Sequence, residues 1–454
     1  MKKAIIYFIW IPLLFCSCKK YLDEPSTTSY AYPTTLSNLQ ALLDNPILMN
    51  EAKTPSLSEA SSDDYFVDDA IYNSADQTSR QVFIWGMPLV SSFNDWRFGY
   101  ISIATANVCL EEIDKIQKTS YNMIEWNNIK GSALFYRAYY FLQLVWTYSK
   151  AYDETTADTD LGIVLRKSTD INEPSIRSTV RESYEQIIDD AIAATAYLPE
   201  TSDHPLRPSK VAAFGLLARA YLSMREYGKA LFYSNSCLKI RSDLIDYNGD
   251  QDLVPGANSD NSPFKKYNKE IIFYTETSTA VSICLPLFAL IDSSLYLTYS
   301  NTDLRKRLFF KNQRQFKSFR GSYTQNNDRL FSGIATDEII LIRAECFIRA
   351  NKIDSALIDL NRLLKYREAP GFIPISGVSS QQTLNIILLE RRKELVMRDL
   401  RWMDIKRLNK EGANIYLRRL IGGNEVKLVP NDNRFALPLP QDIIQLTGMP
   451  QNPR

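Results

Sequence analysis

The chain has 454 residues, of which 45% are apolar and 23% charged, ordinary globular proportions that argue against long disorder. Its 53 basic and 52 acidic side chains leave a net charge of +1, so no broad field exists to attract nucleic acid or anionic lipid. His204 is the single histidine, which argues against a histidine-based triad or a histidine-rich metal site.

Lys2 and Lys3 precede the short apolar run Ala4 to Phe15, and Ser17 places a small residue directly before Cys18. A run below roughly 20 residues is too short to cross a bilayer, so residues 1–17 read as a cleaved export signal. The pattern resembles a bacterial lipoprotein signal, which implies a diacylglycerol on Cys18. An ordinary secretory signal is the competing reading, but Phe15 is too large to precede cleavage at Cys16. Two or three acyl chains hold a protein firmly to a membrane where one does not. After the anchor, residues 18–33 are polar and carry Pro25 and Pro33, a tether leading into one folded unit over 34–454. Cys109, Cys237, Cys284 and Cys346 are too scattered for a metal site and read as small core residues, although an exported protein permits a disulfide.

Thr35 is placed to cap a helix bearing Leu36, Leu39, Leu42 and Leu43 on one side. From Ser56 to Phe93 the periodicity fails, leaving a long irregular stretch of the kind that is often functional. Helical patterns follow at Trp96 to Ile116, Trp126 to Tyr148, Thr179 to Tyr197, and the pair Ser209 to Arg225 and Tyr227 to Ile240. In that pair Phe214, Leu217, Ala218, Tyr221 and Ala230 hold tetratricopeptide spacing, with small residues where two antiparallel helices approach. Ala344, Phe347 and Ala356 repeat the offsets from Ile340, and Arg137-Ala138-Tyr139 suggests a degenerate third copy. The expected fold is mainly α: a tetratricopeptide-like spine within about 126–240 and 336–410, with long loop insertions and minor short strands. Between the repeats, 241–333 reads as a polar insertion with one short strand at Ile271 to Tyr274. Helix returns over Gln381 to Asn409, and a Pro-rich tail closes the chain.

Glu390 to Arg407 is the densest charged run, with Glu394 and Arg398 one turn apart. Arginines around these carboxylates lower their pKa and make poor general acids of them, so the run reads as an ion-pair lattice, with Glu345 in the same class. Asp63-Asp64 and Asp68-Asp69 are paired acids, yet they lack the alternating ligands and central glycine of a calcium loop. No metal or other cofactor is therefore expected, and no catalytic residue is assigned. A sugar packs its C–H face on an aromatic plane and its hydroxyls on nearby polar groups, so rings among polar loops mark the candidate ligand sites. Two loop-rich regions qualify, about 56–96 with Tyr65, Tyr72, Trp85 and Trp96, and about 241–333 with Tyr296, Tyr299, Tyr323 and Arg320.

Several segments in consistent order resemble the SusD/RagB outer-membrane nutrient-binding lipoproteins of Bacteroidetes: Cys18 with Lys19-Lys20-Tyr21-Leu22-Asp23, Ser62-Asp63-Asp64-Tyr65, Trp96 through Asn107, Asp303-Leu304-Arg305, Ile342-Arg343-Ala344-Glu345, Glu390 to Leu395 with Arg401-Trp402-Met403-Asp404, and Leu437-Pro438-Leu439-Pro440-Gln441 with Gln451-Asn452-Pro453. Lys19-Lys20 departs from the acidic residues expected there for surface export. The resemblance implies a non-enzymatic, lipid-anchored outer-membrane protein facing the cell exterior. Such a protein would capture an oligomeric nutrient, a glycan or peptide, and pass it as a hinged lid to a SusC-like TonB-dependent transporter. A surface glycoside hydrolase and a repeat adaptor without a small ligand are the competing readings.

Overall fold

The structure is a computed structural model that describes residues 33–88, 93–255 and 261–454; the export signal, Cys18 and all of the tether but Pro33 lie outside the described residues. Among those residues the protein is mainly helical, with short paired strands and no helix long and apolar enough to cross a membrane.

The Met123–Tyr148 helix is the axis of the fold. It lacks proline and is buried without interruption from Gly131 to Tyr148, as an all-round apolar helix must be. Asp95–Ile113 and Val180–Tyr197 pack along it. The latter opens with a capping box, in which the Thr179 side chain takes the Glu182 amide and the Glu182 carboxylate takes the Thr179 amide. Two antiparallel pairs follow, Lys210–Ser223 with Tyr227–Ile240 and Thr336–Arg349 with Ile353–Lys365, and the pairs meet through Tyr227–Ile240 and Thr336–Arg349. The small residues Ala218, Ala230, Ala344 and Ala356 are fully buried in these pairs. A Cβ on Gly215 would meet Ile334 at 2.8 Å, so only glycine admits that crossing. Arg219 joins the pairs from within, its Nε 2.7 Å from Glu338 Oε1.

Four sequence expectations change. The 241–333 insertion holds, besides the expected strand at Ile271–Phe273, helices Ser293–Leu297 and Arg305–Leu308 and the hairpin Phe310–Gln313 with Phe316–Phe319. The stretch from Ser56 to Phe93 is not irregular throughout: it holds helices Leu57–Ser61, Asp69–Ser74 and Gln77–Phe83, the last two capped by Asp68 and Asp76. Each is at most two turns long, too short for an apolar period to show. The run Gln381 to Asn409 is two helices, Ser380–Glu394 and Arg401–Asn409, parted where Met397 and Asp399 take φ of 59°. Arg398 therefore does not continue the helix of Glu394; it pairs with Asp337 at 2.9 Å, while Glu394 takes Arg305 and Arg367. Finally, Leu417–Ile421 and Asn424–Leu428 form an unanticipated antiparallel hairpin. Its two-residue loop is Gly422-Gly423, both at positive φ, which suits the twist of a tight hairpin.

The four cysteines are free and buried. The Pro-rich end docks on the C-terminus of the axial helix: the Leu437 amide donates to the Thr147 carbonyl at 3.0 Å, and Asn452 Nδ2 donates to that of Tyr148 at 2.7 Å.

One buried group has a testable pH signature. Burial first, then the nearby Asp64 carboxylate, raises Glu59 from 4.5 to about 8. Burial, Glu59 and Asp95 push Asp399 the same way. Between pH 4.5 and about 8 the unfolded chain has released the Glu59 proton and the folded chain keeps it, so the stability this group contributes falls as pH rises across that window. Glu59→Gln removes the dependence. Its melting temperature relative to the parent should rise by several degrees from pH 5 to pH 9; a pH-independent offset would mean that Glu59 is ionised in the fold.

Candidate functional site

The structure brings the two predicted loop regions together. Tyr65–Phe66 pairs antiparallel with Leu290–Ile291, Tyr65 opposite Ile291, and the Asp292 amide donates to the Asp64 carbonyl at 2.9 Å. Phe66 meets Phe316 edge to face at 5.1 Å, and Arg314 pairs with Asp68 at 2.7 Å. The joined regions and the C-terminal hairpin enclose an open cleft of about 500 Å³.

Its lining includes Asp63 with Tyr65 to Val67, Asp292 and Ser294, Phe83 and Arg392, and Tyr416 with Arg418 to Leu420 and Glu425. Alternation along the hairpin strand points Leu417 and Arg419 inward and leaves Arg418 and Leu420 exposed. Tyr416 just precedes the strand and is 58% exposed, a ring at the cleft mouth with a free surface. Arg419 forms the floor. Its guanidinium lies 4.2 Å from the Phe83 ring centre and 5.2 Å from that of Tyr65. It donates to the carbonyls of Ser62, Tyr65 and Phe83. No carboxylate among the described residues forms an ion pair with it, so backbone dipoles and ring faces carry the charge.

Arg392 also lines the cleft, its Nε 3.0 Å from Asp64, and Arg401 grips Asp63 with two bonds of 2.6 and 2.9 Å. Burial alone would raise the Asp63 carboxyl, but the Arg401 and Arg392 guanidiniums outweigh it and hold the group well below the usual carboxylate range. Asp63 therefore stays ionised and has no proton to donate as a general acid. The cleft offers one exposed phenol plane, the half-buried Phe66, and hydrogen-bonding groups of both signs, an arrangement suited to holding a polyhydroxylated ligand.

Of the residues singled out from sequence, Tyr65, Trp85, Trp96, Tyr299 and Tyr323 are core, none more than 5% exposed. Their polar atoms find partners inside, which is why rings in a polar stretch turn inward. Tyr65 donates to the Ala60 carbonyl at 2.7 Å, Trp85 to that of Ser61 at 3.0 Å, Tyr299 to that of Lys393 at 2.8 Å and Tyr323 to Glu270 at 2.8 Å. Trp96 is wedged between Tyr100 and Tyr148. These rings pin loops to the spine and present no plane to a ligand. Only Tyr65 reaches the cleft. Tyr72 is half-buried against Phe83, and Tyr296 is half-buried under the ammonium groups of Lys306 and Lys317; neither lines the cleft. Arg320 is half-buried, donates to the Arg307 carbonyl at 3.0 Å, and also lies outside it. Sequence reading passed over Tyr416, Arg418 and Arg419, although Gly-Gly between two alternating strands signals a hairpin.

Glu270, Asp337 and Glu394 are the one group of carboxylates among the described residues close enough together to hold a metal ion. Arg367, Arg398 and Arg305 already neutralise them. The donor set is thus committed to guanidinium, and an added cation would bring uncompensated positive charge.

A mainly helical repeat scaffold with a loop-built cleft at one end defines the class. Within it, the family model described as starch-binding, associating with outer membrane, matches residues 20–222, and the SusD family model matches residues 303–453. The chain belongs to the SusD/RagB family. It is 24% identical over 434 residues to SusD-like protein P2 of Formosa agariphila, covering 80% of each chain. In fold it is similar to a SusD superfamily protein from Bacteroides thetaiotaomicron, at a TM-score of 0.71 and 21% identity over 92% of this chain and 100% of that one. It is also similar to a SusD-like carbohydrate binding protein from Bacteroides vulgatus, at a TM-score of 0.66 and 20% identity over 91% and 97%.

Proposed function

We propose that this protein is a lipid-anchored, outer-membrane surface protein that binds an oligosaccharide at the Tyr416 cleft and hands it to a SusC-like TonB-dependent transporter. Family membership supports the glycan-binding, cell-surface part of this reading, as does the carbohydrate binding named for the Bacteroides vulgatus relative. The observation that carries the choice of site is the open cleft, where an exposed ring stands beside Arg418, Asp292 and Ser294. A protein held by its N-terminus can swing over a neighbouring pore without leaving the membrane, which is compatible with delivery.

Titration calorimetry against a panel of polysaccharides, oligosaccharides and peptides tests this. Saturable binding of an oligosaccharide that is recovered at its original length is expected. Shortened products would establish a glycoside hydrolase, and no binding across the panel would leave the adaptor reading. Cys18→Ala should release the protein from the membrane fraction.

A further inference from the structure

We propose that the turn joining the Asp95–Ile113 and Met123–Tyr148 helices is a membrane-contact tip, entering a lipid surface through Tyr121, Met123 and Ile124. The inference rests on the reading of Cys18 as the lipid anchor.

Three apolar residues in four stand in solvent here, Tyr121 at 100%, Met123 at 46% and Ile124 at 84% exposure. Their turn is well ordered by hydrogen bonds. The Thr119 amide donates to Asn122 Oδ1 at 2.7 Å, Asn122 Nδ2 donates to the Gln117 carbonyl at 3.0 Å, and Trp126 Nε1 donates to the Ile113 and Ile116 carbonyls. These side chains are therefore presented without a large ordering cost on insertion. Tyrosine, with an apolar body and a polar tip, suits the boundary between headgroups and acyl chains, and Lys118, its ammonium 4.9 Å from the Trp126 ring centre, stands beside the turn.

The path of the chain argues for lipid as the occupant. Successive contacts track where the described chain enters: the Leu48 carbonyl takes Ser102, the Leu39 carbonyl takes Cys109, and Gln40 takes Asn128. Moving back toward Thr35 therefore leads toward Ile113 and the start of the axial helix, the end that carries the turn. Cys18 precedes Pro33 by 15 residues, a reach of at most about 50 Å, so a bilayer holding its lipid lies within reach of the end at which the described chain begins. The ligand cleft is at the other end. Ser58, just before the Asp63 segment, bonds Thr147 at 2.9 Å, roughly 36 Å along the axial helix from Met123. A tip resting on the bilayer would fix the tethered end as a pivot and leave the cleft end free to swing.

The test uses the full acylated chain with Ser120→Cys labelled by an environment-sensitive fluorophore, the four native thiols being buried. It is reconstituted in phosphatidylcholine–phosphatidylglycerol vesicles with and without brominated acyl chains, beside a second form labelled through Asn424→Cys on the exposed hairpin turn. The label at position 120 should lose most of its emission to bromine, the label at 424 should not, and Tyr121→Ser with Ile124→Ser should abolish the difference. Unquenched emission at position 120 in protein that floats with the vesicles overturns the tip and leaves the anchor standing. Protection at 120 that appears only when a barrel partner is added overturns it in favour of a protein contact. Protein that fails to float overturns both readings.

Discussion

Glu394→Ala should cost about 3–5 kcal/mol of folding stability, enough to remove much of the protein from the folded state at physiological temperature. The Glu394 side chain has no solvent exposure and sits between two equally buried guanidiniums, with Arg367 Nε at 2.7 Å and Arg305 Nη1 at 2.9 Å. Burial alone would raise its carboxyl, but Arg367 and Arg305 outweigh that and hold it below the ordinary value. Its contribution is thus present above the ordinary carboxylate pKa and is lost as pH falls through the lowered one. Truncation leaves two desolvated cations sharing fewer anions: Arg367 keeps Glu270, and Arg305 keeps Asp303 and Glu390. Denaturant midpoints should show the loss in full. Glu226→Ala, which removes an exposed partner of Lys229 at 3.6 Å, should cost no more than about 1 kcal/mol. Equal effects from the two variants would mean that the lattice carries no special weight.

The lattice also shows what was legible in the sequence. Arginines spaced among glutamates announced ion pairing, but the partners come from distant segments. Arg305 reaches Glu394 across 89 residues and Arg367 reaches Glu270 across 97. The same division runs through the fold. Thr35, the Thr179–Glu182 capping box and the repeat alanines were readable because each is settled within a turn or two of helix. Break points such as Met397 and Asp399, at positive φ without glycine, carry no local signal; the Asp399 amide donates to Glu59, 340 residues away, at 2.8 Å.

The cleft was only half visible. Sequence reading placed ligand regions at about 56–96 and 241–333, and Tyr65–Phe66 of the first and Leu290–Ile291 of the second now share one small sheet. It misjudged which rings face out, because exposure belongs to the assembled fold: Trp85 in an Asp- and Ser-rich stretch is 1% exposed, while Tyr416 in an unremarked one is 58% exposed. The hairpin that completes the wall meets the cleft floor through Arg419 and Tyr65, 354 residues apart.

Tyr416→Ala should weaken oligosaccharide binding by roughly 10- to 100-fold while leaving the melting temperature unchanged. Covering a phenol ring with a ligand's apolar face removes about as much surface from water as burying a medium side chain, worth about 1.5–3 kcal/mol, and each 1.4 kcal/mol is tenfold in affinity. The ring is already exposed and lies outside the Leu417–Ile421 strand, so truncation opens no cavity. Arg419→Ala makes the opposite contrast. It removes the guanidinium that ties Ser62, Tyr65 and Phe83 to the hairpin, so melting temperature and binding should fall together. Calorimetric titration and thermal melts on the two variants separate a ring that touches ligand from a residue that builds its support. If Tyr416→Ala binds as tightly as the parent, the nutrient sits elsewhere on the molecule.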